Sequence, residues 1–456
     1  MNDLYRGEDL NDRSSAGSQQ SLAIRQVIVR LAGRETLAPA IRDKAGVLLL
    51  DTLACILAGR LSEEVAGAER AFGNLDPGPF RFPGGSPLSV QSAAAIGAMS
   101  SAWDEACEGL PYAHGRPGLA LIGALLPLSV VRSSSLGELL VALRLGYEVG
   151  ARAGGWLRIR PGMHVDGNWP AIGVAAGAAR LMGLKPEGIW QALNIAACQL
   201  PASLYAPIRS GDMARNTYLA HCAQLGLLAA ISAQGGITAP TDAMIQYAIG
   251  HAAPIDTPTP SPEHDFLLES YLKPHAGVRH AHYGLEAAIQ IRTRIGVEPS
   301  AITAIRLEVY EEAATYAGNR APARPLTGQF SLSLAVAAGL RFGEMGPEIY
   351  RPDRFNDPEL RRLEALTEVL ARPELGANGA RTAILTVEAG ARAERERVDS
   401  IAGGPERPLS RETVTAKFIR YAAAHTSPER ARHFAEALLA GDTQQDFGAM
   451  WSSLSA

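Results

Sequence analysis

Apolar residues recur at the three- and four-residue spacing of α-helices from about Ser21 to Ala253. Few windows in this part alternate with the two-residue period of a strand, so the pattern predicts an all-α block. Asp43–Ala58 is apolar on most sides, which is typical of a buried helix, and Gly59 stands where a glycine would end it. The other helices predicted here are Ser89–Ala102, Leu119–Val131, Leu136–Ala153, Ala171–Met182, Glu187–Leu200 and Arg215–Gln234.

The pattern changes after a Pro-, Thr- and Ser-rich segment at His251–Glu263. Apolar and polar residues alternate in Ala301–Tyr310, as they do in a half-buried strand. Thr382–Glu388 repeats this signal, and a glycine turn then leads to a possible antiparallel partner at Ala391–Val398. Helical windows are predicted between the strands at 280–293, Gln329–Leu340 and Asp357–Val369.

The helical period returns from about Arg411 to the end of the chain. We therefore predict a mostly α protein with a smaller α+β domain. Residues 1–267 and 405–456 are expected to form a large all-helical domain, and residues 268–404 a smaller α+β domain inserted into it as a lid.

Composition and charge exclude several classes of partner. Of the 456 residues, 47% are hydrophobic and 20% are charged, which is ordinary for a globular protein. The net charge of −4 and the pI near 6.2 argue against nucleic acid. The longest apolar stretch, Leu119–Val131, is too short to span a bilayer, and the polar first twenty residues lack the apolar core of a signal peptide. We expect a cytoplasmic protein without a membrane partner.

Six segments carry more specific information. Tyr112–Gly118 contains the pattern H-x-x-P-G before an apolar helix, and Leu272–His282 contains K-P-x-x-x-x-R-x-x-H. Together the six resemble the MmgE/PrpD family, and they follow one another in that family's order. They are Asp51–Gly59, Tyr112–Gly118, Gly146–Gly150, His164–Leu184, Leu272–His282 and Gln329–Ala338.

The resemblance implies a large helical domain built from both chain ends, a smaller lid domain, a cleft between them and a homodimer. Members of the family include 2-methylcitrate dehydratase, cis-aconitate decarboxylase and iminodisuccinate epimerase. The implied chemistry is acid–base catalysis on a small polycarboxylate, without a cofactor or a metal.

Two departures from the family pattern favour the epimerase. Arg215 stands where dehydratases and decarboxylases usually have lysine, and His164-Val-Asp-Gly replaces H-P-T-G. A substrate such as iminodisuccinate would lose a proton from one face of a carbon next to a carboxylate and regain one on the other. The alternatives are a dehydratase or decarboxylase of a citrate-like acid, and a binding protein without activity. A concentration of Lys, Arg, Asp and His argues against the last.

Such chemistry needs cations that hold carboxylates, a base, and a charge that stabilises an enolate-like anion. Lys273, His275, Arg279, His280 and His282 fall within ten residues. A lone lysine at this position would be a solvated linker residue. The resemblance instead places this segment against the cleft, where Lys273 could act as a base or as an enolate stabiliser. Arg279 could grip a carboxylate, and His280 or His282 could bind substrate or act as a second base.

Five further candidates come from the helical part. His164 precedes a long helix of small residues, where it could meet an anion or merely cap the loop. Asp104 and His114 resemble an Asp…His pair of the family, although Asp104 could be a simple helix-start carboxylate. The resemblance implies that Arg215 occupies a position that binds substrate in the family; otherwise it would be an exposed arginine at the start of a helix. Tyr147 could donate a proton, or pack in the core.

Metal and nucleotide sites are not expected. His280 and His282 are two residues apart, whereas helical zinc pairs are usually separated by four, and no third ligand falls at a recognised spacing. The chain has no G-x-G-x-x-G after a strand and no Walker A pattern.

Overall fold

A computed structural model describes residues 10–251, 259–296 and 298–455 of the chain. Over these residues the chain is mostly α-helical and contains one small four-stranded mixed sheet. The predicted fold class is therefore confirmed. One continuous cluster of buried side chains runs through the helical layers and under the sheet.

Eleven α-helices precede the first undescribed internal segment, among the residues that the structure describes. Those predicted from apolar spacing lie within a few residues of their expected bounds. The eleven are α1 (Leu10–Ala32), α2 (Pro39–Gly59), α3 (Glu63–Leu75), α4 (Val90–Ser101), α5 (Pro117–Val131), α6 (Leu136–Trp156), α7 (Pro170–Leu181), α8 (Pro186–Ala197), α9 (Ala206–Ser210), α10 (Thr217–Gln234) and α11 (Ala243–His251).

The role predicted for Gly59 as a helix terminator is wrong. Helix α2 includes Gly59, and its C-cap is Arg60. A Cβ atom at Gly59 would lie 2.2 Å from the backbone oxygen of Ser100, at the end of α4. The glycine is needed because α2 and α4 approach each other closely at this point.

The sheet belongs to the second part of the chain, where helices alternate with strands. Its order is β2-β1-β3-β4; β1 pairs parallel with β2 and antiparallel with β3, and β3 pairs antiparallel with β4. The elements are α12 (Arg279–Ile295), β1 (Ile302–Val309), α13 (Glu311–Ala317), α14 (Pro325–Gly328), α15 (Leu332–Phe342), α16 (Pro352–Phe355), α17 (Pro358–Leu366), β2 (Thr367–Ala371), β3 (Ala383–Ala389) and β4 (Arg392–Val398).

Three of the four strands were predicted, and the fourth was not. The helix expected at Asp357–Val369 ends at Leu366, and the chain continues directly into β2. Thr367 and Val369 are β-branched and pair with Ile305 and Leu307 of β1. This pairing overrides the helical spacing that precedes it.

The last helices return to the first part of the fold. They are α18 (Arg411–Ala422), α19 (Pro428–Ala440) and α20 (Phe447–Ser452). Helices α18 and α19 pack against α2, and α20 packs against α5. The division of the chain at residues 267 and 405 into two folding units stays a prediction.

In the described ranges, no single helix has both the length and the apolar character needed to cross a membrane. Helices α2 and α3 meet that test only when taken together, and they are bent by 92° relative to each other.

Candidate active site

A buried carboxylate, Glu105, lies at the centre of a group of cations. It follows α4 in a loop, with a backbone φ of 53° that is unusual for a residue other than glycine. Its side chain accepts hydrogen bonds from Lys273 Nζ at 2.8 Å, from Arg116 Nη1 at 2.5 Å, and from Arg215. Burial raises the pKa of Glu105, but these three charges outweigh burial and hold the pKa well below its usual value.

A second buried carboxylate, Asp166, shares two of these cations. The Arg116 guanidinium donates to both of its oxygens, and Arg215 Nε lies 3.6 Å from Oδ2. Burial raises the pKa of Asp166, yet the charge of Arg116 and its neighbours brings it below its usual value. Glu105, Asp166, Arg116, Arg215 and Lys273 thus form what we call the charge cluster, with three cations against two anions.

Lys273 reaches the cluster from the segment that precedes α12. Its ammonium donates to the backbone oxygen of Glu105 at 2.9 Å as well as to the carboxylate. Burial lowers the pKa of Lys273, but the Glu105 carboxylate more than compensates, so the pKa lies above its usual value. The side chain is therefore a protonated ammonium near neutral pH.

His164 borders the cluster as a neutral imidazole. Its Nδ1 accepts a hydrogen bond from the backbone N–H of Asp166 at 3.2 Å, which places the ring proton on Nε2. The ring stacks on Tyr205, with centroids 5.7 Å apart, and lies 6.1 Å from Tyr218. Burial lowers the pKa of His164 to about 4. A small cavity of about 70 Å³ opens beside the ring.

Asp104 faces the second part of the chain rather than a histidine. Both of its oxygens accept hydrogen bonds from Arg351, at 2.8 and 3.0 Å. Gln329 donates to the backbone oxygen of the adjacent Trp103 at 2.7 Å. These four residues line a cleft of about 400 Å³. The loop that carries Glu105 is therefore held from the sheet-containing side of the molecule as well.

Two predicted histidines lie away from the ion pairs. His114 is exposed in the loop before α5, with a φ of 50°. Burial and Arg158 lower its pKa, so its imidazole is neutral near pH 7. His280 Nδ1 lies 2.7 Å from the Tyr310 hydroxyl, and burial lowers the pKa of His280 to about 4.

The remaining predicted residues have packing contacts of their own. The Arg279 guanidinium lies 3.8 Å from the centre of the Tyr271 ring, a cation–π contact. His282 is buried and its Nε2 is 3.3 Å from a backbone oxygen. The Tyr147 hydroxyl donates to Glu108 at 3.2 Å, deep in the helical core. Burial raises the pKa of Glu108 to about 7.

The structure thus brings together Lys273, Arg215 and His164 of the predicted residues. It adds Glu105, Arg116 and Asp166, which are not among the residues predicted from the sequence. A signal for these was present, because each is a charged residue within a segment already singled out or directly beside Asp104. What the sequence did not show is that they converge.

Within the described residues, no group of three or more His, Cys, Asp or Glu side chains is arranged to hold a metal ion. The carboxylates of the cluster are instead neutralised by arginine and lysine.

Comparison with known proteins identifies the family. Residues 28–253 match the MmgE/PrpD N-terminal domain, and residues 275–442 match the MmgE/PrpD C-terminal domain. Among curated proteins, the chain is 30% identical over 217 residues to cis-aconitate decarboxylase from Aspergillus terreus and, equally, to the protein of that name from its strain NIH 2624 / FGSC A1156. The alignment covers 43% of this chain and 42% of the relative.

The chain therefore spans less than half the length of the curated relatives it matches. The two domain matches, by contrast, together take in most of its residues and both parts of its fold. On that basis the chain belongs to the MmgE/PrpD family.

Proposed function

We propose that this protein is an enzyme that moves a proton at a carbon next to a carboxylate group of a small polycarboxylate. The observation that carries the proposal is the charge cluster, in which Lys273 and two arginines surround two carboxylates next to a neutral histidine. Such a concentration of buried charge is costly to desolvate and is typical of functional sites.

The net charge of the cluster suits an anionic substrate. Three cations and two anions leave one positive charge. A substrate carboxylate that approaches Arg215 would neutralise this charge in a surrounding of low dielectric, where charge-assisted hydrogen bonds are strong. The same cations can then stabilise the negative charge that develops on the carboxylate oxygens when the neighbouring carbon loses its proton.

Lys273 is proposed to act as the proton donor or the stabilising cation. The Glu105 carboxylate at 2.8 Å keeps the ammonium protonated, which opposes a role as the initial base. An ammonium next to an enolate-like anion lowers its energy and can deliver a proton to the carbon.

His164 is proposed to donate a hydrogen bond to substrate. Since its Nδ1 accepts from the backbone N–H of Asp166, the nitrogen that remains is a donor. A neutral imidazole that donates in this way polarises a carboxylate or carbonyl oxygen without adding a full charge. Inversion also needs a base on the opposite face of the carbon. Of the histidines proposed from the sequence, His114, His280 and His282 have lowered pKa values and are neutral near pH 7, and one of them is proposed for this role.

The leading reaction is epimerisation of a substrate such as iminodisuccinate. A protonated donor and a neutral base, one on each face of the carbon, are what inversion needs, and Arg215 in place of the family's usual lysine supports this choice. The second candidate is decarboxylation or dehydration of a citrate-like acid. It is favoured by the 30% identity to proteins named cis-aconitate decarboxylase, and it needs the same donor.

The products separate these reactions. The purified enzyme is incubated with iminodisuccinate, cis-aconitate and 2-methylcitrate in parallel, and each mixture is followed by proton NMR. Inversion of iminodisuccinate without loss of carbon dioxide or water supports the epimerase. Release of carbon dioxide or water from a citrate-like acid shows instead that the enzyme is a lyase. If a Lys273→Met variant converts any of these substrates at the wild-type rate, the charge cluster does not take part in the reaction.

A further inference from the structure

The segment Asp51–Gly59, the first of those that resemble the family, has no part in the proposed chemistry. Its first residue, Asp51, lies in α2 and is fully buried. Asp51 Oδ1 accepts a hydrogen bond at 2.7 Å from the ammonium of Lys417, which lies 366 positions later in α18. A buried carboxylate without such a partner would be strongly unfavourable.

The same ammonium makes two further hydrogen bonds. Lys417 Nζ donates to the backbone oxygen of Ala106 at 2.7 Å and to the backbone oxygen of Lys273 at 2.9 Å. An ammonium has three donor hydrogens, so all three are used. Ala106 follows Glu105 in the chain. A single side chain therefore ties together the two backbone segments that carry the Glu105–Lys273 ion pair.

This connection matters because the ion pair depends on the position of both segments. Lys273 Nζ donates to both the carboxylate and the backbone oxygen of Glu105, so a shift of either segment lengthens two hydrogen bonds. Glu105 also has a backbone φ of 53°. This conformation is unfavourable for a residue other than glycine and persists only where the surrounding contacts hold it.

Resting on the proposed function, we infer that Lys417 and Asp51 form a positioning pair that holds the backbones of Glu105 and Lys273 at the separation the proton transfer requires. In the described structure the Lys417 ammonium bonds to Asp51 and to two backbone oxygens, and it forms no ion pair with the carboxylates of Glu105 or Asp166. Helix α18 thus contributes to the site from the last part of the chain.

The competing explanation is that Asp51 and Lys417 only stabilise the packing of α18 on α2. A matched control is available in Arg60, which is 7% exposed against 8% for Lys417. Arg60 pairs with the buried Glu69 at 2.8 and 3.0 Å and donates to one backbone oxygen, that of Pro83. Arg60→Met removes a comparable buried cation that contacts neither segment of the site.

The first measurement is steady-state kinetics on the substrate that the product assay selects. Lys417→Met is expected to lower kcat about 10²-fold with a much smaller change in KM, since a displacement of about 1 Å costs that much. Asp51→Asn keeps an oxygen acceptor for Lys417 and replaces Lys417→Met as the test variant if the latter does not fold. The kcat of Asp51→Asn should also fall, but by less than that of Lys417→Met. Arg60→Met should lower the urea midpoint and leave kcat unchanged.

The second measurement reports on Lys273 without any substrate. Lys44, Lys185, Lys273 and Lys417 are the four lysines of the chain, so ¹⁵N-lysine labelling gives few signals. In the wild type, the buried ammonium groups of Lys273 and Lys417 should show slowly exchanging Nζ–H signals. In Lys417→Met or Asp51→Asn, the Lys273 signal should weaken because its hydrogens exchange faster with water, whereas Arg60→Met should leave it unchanged.

The two measurements separate failure of this inference from failure of the proposed function. A folded Lys417→Met protein with an unchanged Lys273 signal overturns the positioning role, whatever its kcat. A weakened signal with wild-type kcat confirms that Lys417 positions Lys273 and shows instead that Lys273 is dispensable for the reaction. A weakened signal together with a loss of kcat supports both.

Discussion

The charge cluster makes a quantitative prediction for Glu105→Gln, which keeps the shape of the side chain and removes its charge. Glu105 accepts from Arg116 at 2.5 Å, from Lys273 at 2.8 Å and from Arg215. Without its charge, three cations face Asp166 alone, and the net charge of the cluster rises from one to two. Removing one partner of a buried ion pair typically costs about 3–5 kcal/mol, and we expect a loss of unfolding free energy in that range.

The assay is urea denaturation at pH 7 with and without malonate, a small dicarboxylate. Because the variant has an uncompensated cationic site, malonate should bind it more tightly than it binds the wild type. A ligand at 100 times its Kd stabilises a protein by about 2.7 kcal/mol, so malonate should restore a large part of the lost stability.

Glu69→Gln is the matched control, because Glu69 is also 4% exposed but pairs with Arg60 away from the cluster. It should lose stability too, without any particular gain from malonate. The reasoning is refuted if Glu105→Gln costs less than about 1 kcal/mol, or if malonate stabilises Glu105→Gln and Glu69→Gln equally.

Arg215, the buried histidines and Gly59 each give a further prediction. Arg215→Ala should raise KM roughly 10- to 150-fold, the equivalent of about 1.5–3 kcal/mol for a charged hydrogen bond; an unchanged kcat/KM would exclude it from substrate binding. The pKa values of His164, His275 and His280 are lowered from 6.5 to about 4 in the folded protein. Between pH 6.5 and about 4 the unfolded chain therefore binds more protons than the folded protein does. Urea midpoints should therefore fall as the pH drops from 6.5 towards 4, and a flat profile would contradict this. Gly59→Ala should cost about 1–3 kcal/mol by overpacking α2 against α4, and a wild-type melting temperature would disprove that close contact.

The main elements of the fold could be predicted from local patterns. An apolar run as long as Pro117–Val131, which has 15 residues, exceeds the usual length of a strand and so indicates a buried helix, and alternation of apolar and polar residues indicated β1 and β3. The sequence did not reveal β2, because Thr367–Ala371 becomes a strand only through pairing with β1, some sixty residues earlier.

The site was only partly predictable for the same reason. Lys273, Arg215 and His164 stood out through the resemblance to a family. The carboxylate that gathers them did not, since Glu105 meets Arg215 and Lys273 across 110 and 168 positions of the chain. Tyr147 is the opposite example. Its residue type made it a candidate proton donor, but its hydroxyl bonds to Glu108 in the helical core.

The measurement that most directly tests the central claim is deuterium uptake in deuterated water, followed by NMR at the substrate carbon next to the carboxylate. If the Lys273 ammonium takes part in the proton transfer, the wild type should incorporate deuterium there, and Lys273→Met should do so about 10²–10⁴-fold more slowly. Lys185→Met is the control, because Lys185 is an exposed lysine at the N-cap of α8, and this variant should exchange at the wild-type rate. A Lys273→Met enzyme that incorporates deuterium as fast as the wild type would contradict the account.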